Sequence, residues 1–132
     1  MNNSNQTLTI KEQLQACRSK EETFKTLVTL SKILPRLSPE EKTEENKVKG
    51  CESAVWLIVE ESNGIRHFNA DSDAKLMRGV LVAILSLVEG KSVEAIQKIN
   101  LKSELAALNL TSYLTSSRTN GVLAILEKIT SR

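Results

Sequence analysis

The chain predicts an α+β domain: a small antiparallel sheet of about three strands, packed with helices from the N-terminal and C-terminal parts of the sequence. Three observations carry this. Apolar residues recur at helical spacing through residues 10–34. A β-branched, aromatic run, "AVWLIVEE", leads into Asn63-Gly64, the strongest short hairpin signal. A segment apolar nearly all round, "GVLVAILSLV" at residues 79–88, reads as a core helix and is too short to span a bilayer.

Taken in order, "MNNSNQTLTI" has no basic start and no apolar run, so no signal peptide is expected, and about the first eight residues should be loosely ordered. In residues 10–34 the periodic set is Phe24, Leu27, Val28, Leu30, Ile33 and Leu34, with a break at "RSKEE" and a stop at Pro35. "SPEE" at residues 38–41 has the order of a capping box, with Ser38 as N-cap and Glu41 at the third position. "KTEENK" reads as a solvated connection. "KVKGC" predicts a short strand beside "AVWLIVEE", and "IRHFNAD" the returning one. The strand's alternate sets, Val55, Leu57, Val59 and Trp56, Ile58, are both apolar, so both faces should be at least partly covered and Trp56 should be core. Asp71 or Ser72 should cap the core helix, with Asp73 on its N-terminal dipole and Gly90 stopping it. Short helices are expected at residues 92–99 and 103–108. A last one, capped by Ser116 or Ser117, runs to Ile129 with Val122, Leu123, Ile125, Leu126 and Ile129 inward.

The 132 residues make one domain, large enough to hold a core without disulfides or a metal, with 40% hydrophobic and 26% charged residues. The formal net charge is +2, and the eighteen Lys and Arg are scattered. Only four Phe, Trp and Tyr accompany them, which argues against nucleic acid as the main partner, and with the longest apolar run too short to span a bilayer no membrane partner is expected. Two cysteines form neither a disulfide framework nor a zinc pattern, so a reducing, cytoplasmic setting is expected. With one histidine, His67, in the returning strand, the ligand set is too small for zinc, and Cys–His hydrolysis fits poorly. Cys17 reads as packing. Cys51 follows Gly50, which permits a sharp turn and leaves room for an approaching molecule. Lys49 favours the thiolate and Glu52 opposes it. A thiol without base or metal suits sulfur exchange, in which a thiolate attacks another sulfur. Arg118 stands in the first turn of the last helix against the dipole, which predicts a tertiary partner: a carboxylate such as Asp73, or a thiolate or persulfide.

"GCESAVWL" at residues 50–57 resembles the GC-x-S/N-x-VW signature of the SufE/CsdE family of sulfur acceptors. Three further segments agree in order and spacing: "LPRLSPEEKTEENKVKGC", "FNADSDAKLMRGVLVAIL" and "LTSYLTSSRTNGVLAILEKI". The resemblance covers nearly all of the chain, a single domain over residues 1–132. It implies a fold similar to U-type iron–sulfur scaffolds. It also implies an accessory protein with one covalent step and no independent turnover. Cys51 would take sulfane sulfur from the persulfide of a pyridoxal-phosphate-dependent cysteine desulfurase, of SufS or CsdA type. It would stimulate that enzyme and pass the sulfur to a downstream acceptor such as an iron–sulfur scaffold complex. The pyridoxal phosphate belongs to the desulfurase, and no cofactor or metal is expected on this chain. The family's acceptor cysteine maps onto Cys51, its SR-x-x-G element onto Ser117, Arg118 and Gly121, and its aspartate-led helix start onto Asp71 and Asp73. Gly50, Glu52 and Ser53 flank the site.

Glu52 and Ala54 stand where SufE-type chains carry glutamine. Ser53 leans towards SufE and "LVEGKSVEAIQ" towards CsdE, leaving the branch open. U-type scaffolds hold clusters on three cysteines, and this chain offers only Cys51 near the right place. The alternative function is a stand-alone thiol enzyme, a small-molecule sulfurtransferase or thiol peroxidase, which a resolving cysteine or local base would favour. A structural adaptor with an incidental Cys51 is the third reading. The apolar "AVWLIV" run predicts a Cys51 turned inward at rest, with its loop swinging outward on docking and Gly50 absorbing the change.

Overall fold

The computed structural model describes residues 9–49, 53–112 and 120–131. Their order is α1 (Ile10–Gln15), α2 (Lys20–Leu30), 3-10 turns at Ser31–Ile33 and Pro39–Glu41, β1 (Val55–Ser62) and β2 (Ile65–Ser72). Then come α3 (Lys75–Val88), β3 (Lys91–Ser92), α4 (Val93–Lys98), α5 (Leu101–Ala107) and α6 (Asn120–Thr130). The sheet is antiparallel in the order β1-β2-β3. The α+β class is as expected.

The break at "RSKEE" is a helix start. Ser19 Oγ accepts from Glu22 N at 3.1 Å, while Glu22 Oε1 accepts from Arg18 N at 2.6 Å. Thr9 and Glu12 make a further capping box, not expected from the apolar pattern, at the head of α1. The box at Ser38 and Glu41 forms as expected. Asn63 and Gly64 take positive φ, 54° and 79°, which closes the β1–β2 hairpin. Gly90, with φ 78°, ends α3 and turns the chain into β3.

Four expectations change. The third strand is β3, on the far side of β2. Of "KVKGC", the described residues 47–49 contribute a single bridge, Lys47 opposite Trp56, on the outer edge of β1. Asp71 and Ser72 belong to β2, opposite Trp56 and Val55, so the N-cap of α3 is Ala74, with no side-chain cap. Only one face of the hairpin meets the helical core: Val55 and Leu57 with Phe68 and Ala70. On the other face Trp56 and Ile58 are half-buried, and Glu60, His67 and Asn69 are exposed. Trp56 is therefore not core; the Lys42 ammonium lies 5.0 Å from its ring centroid. Finally, Phe24 (49% exposed), Ile33 (59%) and Leu123 (38%) face outward. The inward stripe of α2 is Thr23, Leu27 and Leu30, continued by Leu34. Phe24 sits one residue round the helix from Thr23, and the 3-10 tightening carries Ile33 off the stripe.

α3 is the core helix, with Val80, Leu81, Ala83, Ile84 and Val88 at 0–1% exposure. It packs on α2 through Gly79, where an added Cβ would stand 2.1 Å from the Leu27 carbonyl oxygen. Gly79→Ala is expected to cost about 2 kcal/mol, because the helices must part. An unchanged urea midpoint in that variant would contradict this contact.

Candidate functional site

Gly50, Cys51 and Glu52 lie outside the described residues, as do Ser116, Ser117, Arg118 and residues 1–8, so the expected orientation of Cys51 and the pairing of Arg118 lie there too. Their flanks are described. On the N-terminal side, Val48 N donates to Val55 O at 2.8 Å and Leu57 N to Asn46 O at 2.8 Å. Asn46 Nδ2 donates to Glu41 O, which ties this edge to the Ser38 turn. Lys49 is exposed and pairs with Glu44 at 2.9 Å. On the C-terminal side, the Ala54 carbonyl accepts from Ser72 Oγ at 2.7 Å and from Asp73 N at 3.3 Å. Ser53 is half-buried between this anchor and the cysteine. Both ends of the cysteine segment are thus hydrogen-bonded to the sheet.

Behind the anchors stands Asp71, whose side chain is fully buried. Its Oδ2 accepts from Arg36 Nε at 3.0 Å and Leu37 N at 3.1 Å, and lies 3.5 Å from Lys42 Nζ. Its Oδ1 accepts from Ser72 N at 2.8 Å and lies 3.4 Å from Arg78 Nε. Arg78 also donates to Leu34 O at 3.1 Å. Burial alone would raise the Asp71 pKa. The Arg36 hydrogen bond, the Leu37 and Ser72 amides and the Arg36 charge outweigh it and hold the carboxyl below its ordinary range. The carboxylate therefore joins the lead-in to the cysteine, the end of β2 and the first turns of α3.

The site residues separate accordingly. Asp73 is exposed and contributes its backbone amide, so its expected role on the α3 dipole gives way to holding Ala54, because α3 begins two residues later than expected. Gly121 is buried near the start of the described part of α6. Arg36, Lys42, Ser72 and Arg78 were missed as site residues. The signal for them was Asp71, a carboxylate close before the apolar core helix. His67 Nδ1 lies 2.7 Å from Glu89 Oε2, on the exposed face, with Glu89 also accepting from Phe68 N. Cys17 is a free, half-buried thiol just after α1, 3.4 Å from the Gln13 carbonyl and 3.3 Å from Thr26 Oγ1. It is not part of the apolar core. Among the described residues no three His, Cys, Asp or Glu side chains are grouped to hold a metal ion, and no helix is long and apolar enough to cross a membrane.

The fold and these flanks define a small α+β domain that holds a cysteine-bearing segment between two hydrogen-bonded anchors. The profile of the SufE family, described as an Fe-S metabolism associated domain, matches residues 8–132, and the chain belongs to that family. An uncharacterised SufE-like protein of Rhizobium etli is 34% identical over 113 residues, 83% of this chain and 76% of the relative. The protein named sulfur acceptor protein CsdE from Escherichia coli K12 is 36% identical over 110 residues, 83% and 75% of the two chains. A solution structure of a hypothetical protein from Thermus thermophilus superposes with a TM-score of 0.69 at 18% identity, covering 90% of this chain and 86% of that one, and shares the fold.

Proposed function

We propose that this protein is a sulfur acceptor that relays sulfane sulfur from a cysteine desulfurase through Cys51. The observation that carries the reading is family membership over the whole of residues 8–132, with 36% identity to a protein named a sulfur acceptor. The anchored flanks support it, since a group that must meet a partner's sulfur gains from being held in few conformations.

The step is a thiol–persulfide exchange. The Cys51 thiolate attacks the terminal sulfur of the desulfurase persulfide. The old S–S bond breaks, its electron pair leaves on the desulfurase cysteine, and a new S–S bond forms on Cys51, with no net oxidation. The chain needs no cofactor or metal of its own for this step, and the pyridoxal phosphate is the partner's. Removing the persulfide stimulates the desulfurase, and the sulfur passes to an iron–sulfur scaffold complex or another acceptor. The reducing cytoplasm suits this role, because both cysteines stay thiols there.

Incubation with a SufS-type or CsdA-type desulfurase and cysteine, followed by intact-mass measurement and non-reducing peptide mapping, tests the reading. One added sulfur atom on the peptide holding Cys51 is expected. Sulfur mainly on Cys17, or equally on both, would sink the assignment.

A further inference from the structure

We propose that Arg36 and Lys42 form an oxyanion site at the outer end of the sheet, taking a carboxylate or a tetrahedral oxyanion in front of Asp71. The proposal does not depend on sulfur transfer. Three cations, Arg36, Lys42 and Arg78, surround the single carboxylate of Asp71. Among the described residues no second carboxylate pairs with any of them. The acidic run beside them is engaged elsewhere, Glu41 by Ser38 and Glu44 by Lys49. Positive charge is therefore in excess, and so are donors. Asp71 already accepts from the amides of Leu37 and Ser72 as well as from Arg36. Lys42 Nζ stands 3.5 Å from Asp71 Oδ2, beyond the usual range of about 2.7–3.2 Å, with the Trp56 ring as its other neighbour. Arg36 uses Nε on the same oxygen at 3.0 Å, and its side chain is 57% exposed. Its terminal amines are the part of the guanidinium that grips oxyanions two atoms at a time. Arg78 Nε is buried without a hydrogen bond and adds its charge from behind. Because Arg36 and Lys42 flank one oxygen, a single oxyanion before it is within reach of both.

Trp56 is the only tryptophan of the chain and lies under the Lys42 ammonium, so its fluorescence reports on the site. The parent is titrated with sodium sulfate and, separately, with an acetylated and amidated triglutamate peptide, sodium chloride holding the ionic strength constant. A saturable change with half-saturation in the millimolar range is expected. Arg36→Gln and Lys42→Gln should each raise the half-saturation concentration at least about tenfold, the loss of one charge-assisted hydrogen bond. Lys49→Gln removes the same charge from an exposed lysine paired with Glu44 and should leave it unchanged. Thermal midpoints give a second readout that does not need the tryptophan. Sulfate stabilises proteins generally by exclusion from their surface, so the test is whether the parent gains more than Arg36→Gln does. Saturation by sulfate alone assigns a free oxyanion. Tighter saturation by the peptide assigns a carboxylate carried by a partner protein. The proposal is overturned if neither probe saturates the fluorescence or favours the parent in thermal midpoint. It is equally overturned if Lys49→Gln weakens binding as much as Arg36→Gln and Lys42→Gln, since the effect is then one of net charge.

Discussion

Replacing Cys51 with serine is expected to abolish sulfur acceptance and desulfurase stimulation completely while leaving the fold intact. Serine lacks the polarisable, readily ionised sulfur that attacks a persulfide, so no S–S bond can form. The change touches neither anchor, because the bonds at Val48 and Ala54 are made by backbone atoms of those residues with Val55, Ser72 and Asp73. Far-ultraviolet circular dichroism and the thermal midpoint should therefore match the parent. Cys17→Ser should keep full acceptance, since Cys17 is held by Gln13 and Thr26 beside α1 and α2. Residual stimulation by Cys51→Ser would mean that docking alone activates the desulfurase. Residual sulfur loading on it would mean that the acceptor is elsewhere.

Asp71→Ala should produce the largest loss of stability among single changes near the site, about 3 kcal/mol, or roughly 10 °C in thermal midpoint. The substitution leaves Arg78, 14% exposed, and Lys42, 24% exposed, without their carboxylate, and orphans the Leu37 and Ser72 amides. The half-exposed Arg36 can turn to solvent, which keeps the cost at the lower end for a buried ion network. The pH dependence has a definite sign. The folded-state pKa of Asp71 is depressed, so its contribution is fully present above the ordinary aspartate range and is lost as the pH falls below about 4. Urea midpoints of the parent and Asp71→Ala should therefore differ at pH 7 and converge towards pH 3. A gap that stays constant with pH would show that the charge of Asp71 contributes nothing.

Much of the fold was legible because its signals are local. Ser38 caps the helical turn directly after it, Asn63-Gly64 can close a hairpin without help, and the run at residues 79–88 is too apolar to lie anywhere but inside. The errors fall where a local signal competes with a distant partner. "DSD" before an apolar helix is a good capping sequence, yet strand pairing with Val55 and Trp56 draws Asp71 and Ser72 into β2 and delays the helix to Lys75. Trp56 has strand and core composition. Which face of a strand looks inward depends on what packs there, and here Arg36, Leu37 and Lys42 meet the outer face at Asp71.

The sequence by itself determined the class of fold and, through four ordered segments, the family, and it alone singles out Cys51 as the proposed acceptor. Those properties reside in residue identity and spacing, which folding does not change. Only the tertiary structure decided what Asp71 and Ser72 do. Arg36 and Asp71 are thirty-five residues apart, and Ser72 and Ala54 eighteen, and no local periodicity specifies such pairs. They form because burial makes an unpaired carboxylate or hydroxyl costly, and the 36–42 connection, the hairpin and the start of α3 bring the needed donors and acceptors together at one end of the sheet.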